Sequence, residues 1–211
     1  MKHYPTIPAL IDRGISVNVY DKLDGSNIRV EWKRKQGRNR GEFYKFGSRK
    51  QLLATDQGLI AKAPLLLEPD VDELERYLVD VLRIDRCICY FELYGERSFA
   101  GIHHPEDEHR LALLDIEVYK RGFISQKDFQ KMRHNVFLHT PRWHGKMFIT
   151  VDVEHQIRSG GMGTFEGVVC KARTAKDKYG KPIMFKVKNQ AWIDKVKEVH
   201  KGNTKLLAEL L

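Results

Sequence analysis

The stretch that decides the fold is Ser16-Val-Asn-Val-Tyr-Asp-Lys22-Leu-Asp-Gly-Ser-Asn27-Ile-Arg-Val-Glu-Trp32. On both sides of its centre, apolar residues alternate with polar ones, at Val17, Val19, Ile28, Val30 and Trp32. This alternation is typical of half-buried strands, and Asp24-Gly25 supplies the chemistry of a tight turn. We therefore predict a β-hairpin in which Lys22 lies where the first strand ends, at a position where a side chain can face a cleft. The alternative is a surface hairpin with a solvated lysine, because most charged side chains are exposed.

The composition indicates a globular protein with a basic surface. With 211 residues, of which 42% are hydrophobic, the chain is long enough for a packed core. Its 37 Lys+Arg against 28 Asp+Glu give a formal charge of +9, which attracts polyanions, most often nucleic acid, with a membrane surface as the alternative. No apolar run approaches the roughly 18 residues of a spanning helix, and residues 1–5 lack the apolar part of a signal peptide. We therefore predict a soluble cytoplasmic protein without a membrane partner.

The cysteines predict neither a disulfide framework nor a zinc site. Their number is odd, since the chain has only Cys87, Cys89 and Cys170. Cys87 and Cys89 lie two residues apart, which places both on one face of a strand. Neither spacing is that of a structural zinc site.

The remaining periodicities predict a mixture of strands and helices. Predicted strands cover residues 42–46, 87–94, 111–119, 147–153, 165–171 and 182–188. Predicted helices cover residues 70–83, with Asp70 or Asp72 as the N-cap, 125–134, with a variant capping box from Ser125 to Asp128, and 192–211, with a break near Gly202. No internal repeat or low-complexity linker divides the chain. We therefore predict one α+β domain over residues 1–211, rich in antiparallel sheet.

Two polar loops invite a functional interpretation. Residues 33–41 contain five cationic side chains and two glycines. We interpret this segment as a solubilising tip between strands, with a phosphate-binding patch as the alternative. Residues 95–110 contain three histidines among carboxylates. Because no His-x-x-x-His pair lies on a predicted helix, we interpret them as a solvated loop rather than a metal site.

Any phosphate group must be held by side chains, because the chain has no P-loop and no dinucleotide fingerprint. The segment Phe185-Lys-Val-Lys188 offers such side chains. In a strand, Lys186 and Lys188 point to one face, about 7 Å apart, while the apolar residues between them point to the core. The alternative is an exposed edge strand with alternating lysines.

Two isolated carboxylates lie in apolar strands. Glu92 interrupts the apolar run 87–94, and Glu166 precedes Gly167-Val168-Val169. A buried carboxylate is costly unless a cation or a metal partners it. Two such carboxylates beside two lysines predict a polar cleft built on sheets.

Six sequence elements follow one another in the order of a known set of motifs. They are Lys22-Leu-Asp-Gly-Ser-Asn27, Ser48-Arg49, Phe91-Glu-Leu-Tyr-Gly95, Leu114-Asp-Ile116, Glu166-Gly-Val-Val169 and Phe185-Lys-Val-Lys188. This series resembles the motifs of the covalent nucleotidyltransferases, which include ATP-dependent DNA ligases, RNA ligases and mRNA capping enzymes. The resemblance implies their fold, with two antiparallel sheets flanked by helices around a nucleotide cleft. It also implies an adenylyltransferase domain alone, without the OB-fold or other C-terminal domain of most ligases.

With Asn27 at this position, the motif resembles that of the RNA repair and editing ligases, since DNA ligases and many capping enzymes usually have arginine there. Leu114 departs from the RNA repair ligases, in which an aromatic residue at this position stacks on adenine. The resemblance thus implies an ATP-dependent RNA ligase. The alternatives are a minimal ATP-dependent DNA ligase, a GTP-using capping-type transferase, and a nucleic-acid-binding protein that keeps the fold without sealing activity.

By this resemblance, Lys22 is the nucleophile that attacks the α-phosphate of ATP and carries AMP. A lysine with a pKa of about 10.4 is neutral in about one molecule in a thousand near pH 7.4, a penalty of roughly 4 kcal/mol. We therefore expect Lys186, Lys188 and a bound Mg²⁺ (or Mn²⁺) to lower the pKa of Lys22 and to stabilise charge on the phosphoryl oxygens.

The resemblance also implies roles for the other site residues. Glu166 would hold the metal ion, Glu92 would bind the ribose, Asp21 would lie against the adenine edge through its backbone, and Val168 would belong to the ATP-binding set. Arg49 and Asn27 would contact phosphate at the RNA end or nicked duplex, because an arginine fork donates bidentately to phosphate. A separate protein is the candidate to replace the missing C-terminal domain in substrate binding.

Overall fold

The computed structural model describes residues 2–10, 14–37, 40–49, 52, 59–98, 100–135, 139–176 and 182–211. Contacts divide the chain into two compact units. The five-stranded unit comprises Met1–Pro5, Ser26–Leu93 and His109–Thr140. The four-stranded unit comprises Thr6–Gly25, Tyr94–Glu108 and Pro141–Leu211. Of the predicted basic loop 33–41, Arg38 and Asn39 lie outside the described residues.

In its described residues, the five-stranded unit contains a sheet of order β3-β2-β4-β5-β6 and three α-helices. The strands are β2 (Gly25–Arg34), β3 (Gly41–Ser48), β4 (Arg86–Tyr94), β5 (Arg110–Val118) and β6 (Gly122–Phe123), and the helices are α1 (Ala63–Leu67), α2 (Val71–Arg76) and α3 (Gln126–Asn135). β2 pairs antiparallel with β3, and β5 with β6. The alternating residues Ile28, Val30 and Trp32 are fully buried, because the face that carries them is the core face.

Helix α2 lies in the region where the sequence predicts a helix over 70–83. It continues as a π-helical turn, Tyr77–Val81, with Leu74 and Leu78 fully buried. Asp70 occupies the N-cap position of α2, as predicted, but its side chain makes no capping hydrogen bond. The helix enters from a 3-10 turn, Glu68–Asp70, so the preceding backbone already curls into the helix.

The four-stranded unit contains a sheet of order β7-β1-β8-β9 and three helices. The strands are β1 (Ser16–Asp21), β7 (Trp143–Phe148), β8 (Gly167–Lys176) and β9 (Pro182–Lys188), and the helices are α4 (Val151–Arg158), α5 (Gln190–Val199) and α6 (Thr204–Leu210). All three strand pairings are antiparallel. One face of the sheet packs into an apolar core that includes Val17, Val168 and Phe185.

The predicted hairpin over residues 16–32 is wrong. β1 belongs to the four-stranded sheet and β2 to the five-stranded sheet. Both edges of β1 are already paired, one with β7 and the other with β8, so no edge remains for β2. Both strands exist as predicted, but the residues around Lys22 connect two sheets instead of closing a hairpin.

The predicted strand over residues 147–153 is also wrong. β7 ends at Phe148, and α4 begins at Val151. Thr150 caps this helix, because its Oγ1 accepts a hydrogen bond from the N–H of Val153. Asp152 adds an acidic side chain to the first turn, where it stabilises the helix dipole. The cap and the favourable charge at the start of the helix outweigh the preference of Val151 and Val153 for a strand.

Other predictions of secondary structure are confirmed. The strands predicted over 87–94, 111–119 and 182–188 appear with boundaries shifted by at most one residue. The N–H of Asp128 donates to Ser125 Oγ, as expected for a capping box at α3. The C-terminal helical region breaks around Gly202, between α5 and α6. Among the described residues, no helix has the length and apolarity that membrane crossing requires.

Candidate active site

The ends of three strands meet in the four-stranded unit. Lys22 follows β1, Glu166 precedes β8, and Lys188 is the last residue of β9. The N–H of Lys22 donates to Gly167 O at 2.8 Å, and Gly167 is paired in register with Lys188. Antiparallel pairing therefore brings three residues that are distant in sequence to the same end of the strands.

Gly167 allows the close approach of β8 and β9. Its φ is +141°, and a Cβ atom there would lie 2.2 Å from Val187 O and 2.7 Å from Lys188 Cα. Both contacts are with backbone, which cannot move aside as a flexible side chain can. Only glycine fits between Glu166 and the strand that carries Lys188.

One buried carboxylate is shared by two lysines. Glu166 Oε2 lies 2.7 Å from Lys22 Nζ, and Glu166 Oε1 lies 2.9 Å from Lys188 Nζ. The Glu166 side chain is 4% exposed and that of Lys188 is 7% exposed, whereas that of Lys22 is 22% exposed. The structure thus brings together three of the predicted site residues, with the predicted nucleophile as the most accessible.

Lys188 is buried between an aromatic ring, a backbone carbonyl and the Glu166 carboxylate. Its Nζ lies 4.2 Å from the centre of the Trp192 ring and donates to Leu210 O. Burial lowers the pKa of Lys188, Glu166 opposes this effect, and the like charge of Lys22 adds to it. The like charge of a neighbouring lysine thus acts on Lys188, and the expected effect of Lys186, Lys188 and a metal ion on Lys22 stays a prediction.

Asp24, two residues after Lys22, is buried beside the same cluster. It accepts a hydrogen bond from Trp192 Nε1 at 3.4 Å. Burial and the charge of Glu166 raise the pKa of Asp24, while His103, Trp192 and Lys22 lower it. Its carboxylate is therefore held by groups from two other segments of this unit.

His103 connects Asp24 to a loop carboxylate. Its Nε2 lies 3.0 Å from Asp24 O, and its Nδ1 lies 3.0 Å from Asp107 Oδ2. Both neighbours are acceptors, so both ring nitrogens donate when the ring is protonated. The hydrogen bond with His103 lowers the pKa of Asp107. The interpretation of 95–110 as a wholly solvated loop is thus wrong at His103, whose side chain is 10% exposed.

Asp21, directly before Lys22, is held by two side chains. His144 Nε2 lies 2.6 Å from its Oδ1, and Arg142 Nε lies 3.3 Å from its Oδ2. Arg142 also donates to the backbone oxygens of Met162 and Gly163, at 3.1 and 2.7 Å. These contacts fix the end of β1 and the glycine-containing loop before β8. The predicted backbone contact between Asp21 and adenine stays a prediction.

Lys186 and Val168 lie on the paired strands β9 and β8. Val168 is fully buried in the apolar core. Lys186 is partly buried, and its N–H donates to Pro8 O at 2.8 Å. Phe185 and Val187 are buried on the core face, as the two-residue period predicts.

Asn27, Arg49 and Glu92 belong to the five-stranded unit. Asn27 Nδ2 donates to Phe91 O at 3.1 Å, and its Oδ1 is buried without a hydrogen-bond partner among the described residues. Arg49 is exposed, and Glu92 is partly buried in β4. The charge of Glu92 also acts on Tyr4: burial raises the pKa of the Tyr4 hydroxyl, and the charges of Asp115 and Glu92 raise it further. The predicted roles of these residues stay predictions.

Three residues of the site, Trp192, His103 and His144, were not predicted from the sequence. Trp192 lies four residues after Lys188, in the first turn of α5. This short spacing is the one sequence signal that connects Trp192 to the motif Phe185-Lys-Val-Lys188. The histidines contact residues far away in the chain, so no local pattern identifies them. Within the part of the chain that the structure describes, no three His, Cys, Asp or Glu side chains form a metal-binding group.

Comparisons with solved structures identify proteins of the same fold. An archaeal ATP-dependent RNA ligase gives a TM-score of 0.66 at 17% identity, over 92% of this chain and 50% of that protein. An RNA ligase of Naegleria gruberi with ATP and Mn gives a TM-score of 0.59 at 15% identity, over 88% of this chain and 52% of that protein. A structure of the Naegleria ligase with AMP and Mn gives a TM-score of 0.61 at 16% identity, over 91% of this chain and 59% of that protein. The chain spans about half the length of these structures or slightly more. No protein-family model and no curated protein matches it.

Proposed function

We propose that this chain, whose fold is that of RNA ligases, is the adenylyltransferase part of an ATP-dependent RNA ligase. In this proposal Lys22 forms a lysyl-AMP intermediate, AMP passes to a 5′-phosphate end, and a 3′-hydroxyl displaces it to join the strands. The observation that carries the proposal is the buried Glu166 carboxylate shared by Lys22 and Lys188. An accessible lysine held against a buried carboxylate and a second cation is arranged for chemistry on phosphate.

The first step needs a neutral Lys22 amine. The Lys22 ammonium first gives a proton to water, and the neutral Nζ attacks the α-phosphorus of ATP. A P–N bond forms, the bond from phosphorus to the pyrophosphate oxygen breaks so that pyrophosphate leaves, and the nitrogen releases its second proton to water. The charge of Lys188 disfavours a second ammonium nearby, whereas Glu166 favours it.

Lys186 and Lys188 supply positive charge where charge develops on the phosphoryl oxygens. Phosphoryl transfer depends on positioning and electrostatic stabilisation more than on covalent help from the protein. Lys188 is fixed by Glu166 and by the Trp192 ring. A cation that is already in place costs no reorganisation during the reaction.

Glu166 fits a role in holding Mg²⁺ or Mn²⁺. Magnesium prefers oxygen ligands and is usually bound by one or two carboxylates together with substrate phosphates. Each oxygen of Glu166 has one ammonium partner, which leaves acceptor capacity for an ion or its water. Such an ion neutralises phosphate charge when it is bound. The Naegleria ligase structures contain Mn with ATP or with AMP.

Asn27, Arg49 and Glu92 are proposed to contact the RNA end and the ribose. Asn27 Oδ1 has no hydrogen-bond partner in the described part of the chain, and this supports a ligand contact there, since a buried acceptor without a partner is costly. Arg49 is exposed and can reach phosphate. A separate protein is proposed to contribute to substrate binding.

The test of the first step is transfer of label to the chain. The protein is incubated with Mg²⁺ and ATP or GTP labelled at the α-phosphate, and label is measured after denaturation. We expect label from ATP and none in Lys22→Arg, which keeps the positive charge beside Glu166 but lacks the nucleophilic amine. Lys205→Ala, an exposed lysine on α6, is the matched control and should label normally. Label that persists in Lys22→Arg, or is absent in the unmodified chain, contradicts the proposal.

The test of the substrate compares nicked duplexes that have RNA or DNA on the 3′-hydroxyl side, and single-stranded RNA. We expect sealing where the 3′-hydroxyl strand is RNA. Preferential sealing of all-DNA nicks would assign the chain to the minimal DNA ligases. Label on Lys22 without any sealing would instead require the proposed separate protein.

A further inference from the structure

We propose that one end of the five-stranded sheet binds single-stranded RNA through exposed tyrosines flanked by cations. We call this region the tyrosine surface, and its members are Lys33, Tyr44, Arg86, Tyr119 and Lys120. None of these residues belongs to the candidate active site. The choice of RNA among polyanions rests on the proposed ligase function.

Sheet order brings the members together. Tyr44 lies on β3, Arg86 begins β4, and Tyr119 directly follows β5, with its N–H donating to Arg86 O at 3.0 Å. Since β2 and β4 separate β3 from β5, three inter-strand spacings of about 4.8 Å place the two tyrosine strands on the order of 14 Å apart. The surface thus offers two aromatic positions along one end of the sheet.

Both tyrosines are exposed, and both rings have cations over their faces that a stacking base would move toward its phosphates. Tyr119 is 55% exposed and Tyr44 is 37% exposed. Lys33 Nζ lies 4.7 Å from the centre of the Tyr44 ring, while Arg86 Cζ and Lys120 Nζ lie 5.2 and 5.5 Å from that of Tyr119. Exposed rings that alternate with cations are what proteins use for single strands, because bases stack on the rings while the cations contact phosphates.

A hydrogen-bond network fixes the central cation. Arg86 Nη2 donates to Glu31 Oε2 and to Tyr44 Oη, both at 3.1 Å, and the Tyr44 hydroxyl donates to Glu31. The bond to Glu31 raises the pKa of Arg86, so its charge is retained. Side chains that are already ordered lose less conformational entropy when a ligand binds.

The charge of the region favours a polyanion. Each carboxylate at this end of the sheet has a cationic partner: Glu42 pairs with Lys33 and Lys35, Glu31 with Arg86, Asp85 with Arg34, and Glu117 with Lys2. The exposed cations Lys120 and Arg121 of the turn after β5 add further positive charge. Lys120 also adopts a φ of 61° in the turn between β5 and β6. Glycine or asparagine would adopt this left-handed conformation with less strain, and yet the turn has a lysine at this position.

Binding of a short fluorescein-labelled single-stranded oligoribonucleotide, followed by fluorescence anisotropy, tests the proposal. Tyr119→Ala should raise Kd by roughly 5- to 150-fold, the loss of one stacked base, and Tyr119→Trp should restore binding. Lys120→Ala should reduce the slope of log Kd against log salt by about 0.7, the loss of one phosphate contact. Phe148→Ala and Lys201→Ala are the matched controls, since Phe148 is 59% exposed and Lys201 is exposed, both in the other unit.

The outcomes separate this proposal from the ligase proposal, because label on Lys22 is measured in the same variants. Unchanged RNA affinity in Tyr119→Ala, with normal label on Lys22, overturns the tyrosine surface alone. Weakened RNA binding in Tyr119→Ala, with no label on the unmodified chain, overturns the ligase proposal alone. An abasic strand that binds the unmodified chain as tightly as the RNA shows attraction by charge without stacking, and also overturns the tyrosine surface.

Discussion

Removal of the shared carboxylate should destabilise the folded chain in a pH-dependent way. In Glu166→Gln, Lys22 and Lys188 keep their positions but lose the anion between them. Breaking a buried ion pair costs about 3–5 kcal/mol, because a charge remains buried without a partner. Lys22 is 22% exposed and can regain water, whereas Lys188 is 7% exposed and cannot. We therefore expect a loss of about 3 kcal/mol at pH 7, due mainly to Lys188.

The pH dependence follows from the lowered pKa of Lys188. Below this folded-state pKa, the folded chain carries a buried ammonium that the unfolded chain exposes to water. As pH rises through the folded-state pKa toward the unfolded value, here 10.5, Lys188 loses its proton more readily in the folded chain, and stability increases. Glu166 raises the pKa of Lys188, so Glu166→Gln lowers it further. The difference in the free energy of unfolding between the unmodified chain and Glu166→Gln should therefore shrink as pH rises above 7, by up to about 1.4 kcal/mol per pH unit.

Urea denaturation followed by tryptophan fluorescence measures this difference at several pH values between 7 and 10. Glu154→Gln is the matched control. Glu154 is paired with Arg158 at 2.8 Å, but Arg158 is 43% exposed, so the control should lose only about 0.3–0.5 kcal/mol. A loss below about 1 kcal/mol in Glu166→Gln at pH 7, or a loss that stays constant up to pH 10, would refute the assignment of a buried, carboxylate-dependent charge to Lys188.

Three further predictions concern the same unit. Gly167→Ala should destabilise the chain by about 3 kcal/mol or more in urea denaturation, since its Cβ would collide with Val187 O; near-normal stability would contradict the geometry. Asn189→Ala should cost about 1–2 kcal/mol in the same assay, because Asn189 caps α5 and donates to Thr164 O. Burial raises the pKa of Cys170 to about 12, so a thiol reagent at pH 8 should modify Cys170 only after unfolding, as detected by mass spectrometry.

The sequence predicted individual strands better than their pairing. Alternation of apolar residues located β9, because Phe185 and Val187 needed a core face whatever the neighbouring strand was. The same alternation located β1 and β2 but suggested a hairpin between them. Pairing depends on which strand edges are occupied, and β1 is paired on both edges by strands more than 100 residues away. That information is absent from any local pattern.

The candidate site shows the same limit. The motif pattern identified Lys22, Glu166 and Lys188, and the structure places both lysines within hydrogen-bond distance of the Glu166 carboxylate. It did not identify His103, which lies 79 positions from its partner Asp24 in a loop without regular structure. A lone loop histidine is usually solvated, so only the three-dimensional contact distinguishes it. Local patterns thus identified residues at the ends of strands, but they did not identify the side chains that contact those residues from distant parts of the chain.

The shared carboxylate has a consequence for the proposed reaction. When Lys22 loses its proton and bonds to phosphorus, it no longer supplies a cation to Glu166 Oε2. Lys188 remains 2.9 Å from Oε1, so the buried carboxylate keeps a partner before and after the nucleophile reacts. With a single lysine, each turnover would leave a buried charge unpaired, at a cost of about 3–5 kcal/mol. The second lysine therefore lets the first one change its charge without destabilising the site, which is why Lys188 should be needed for label transfer even though it forms no bond to the nucleotide.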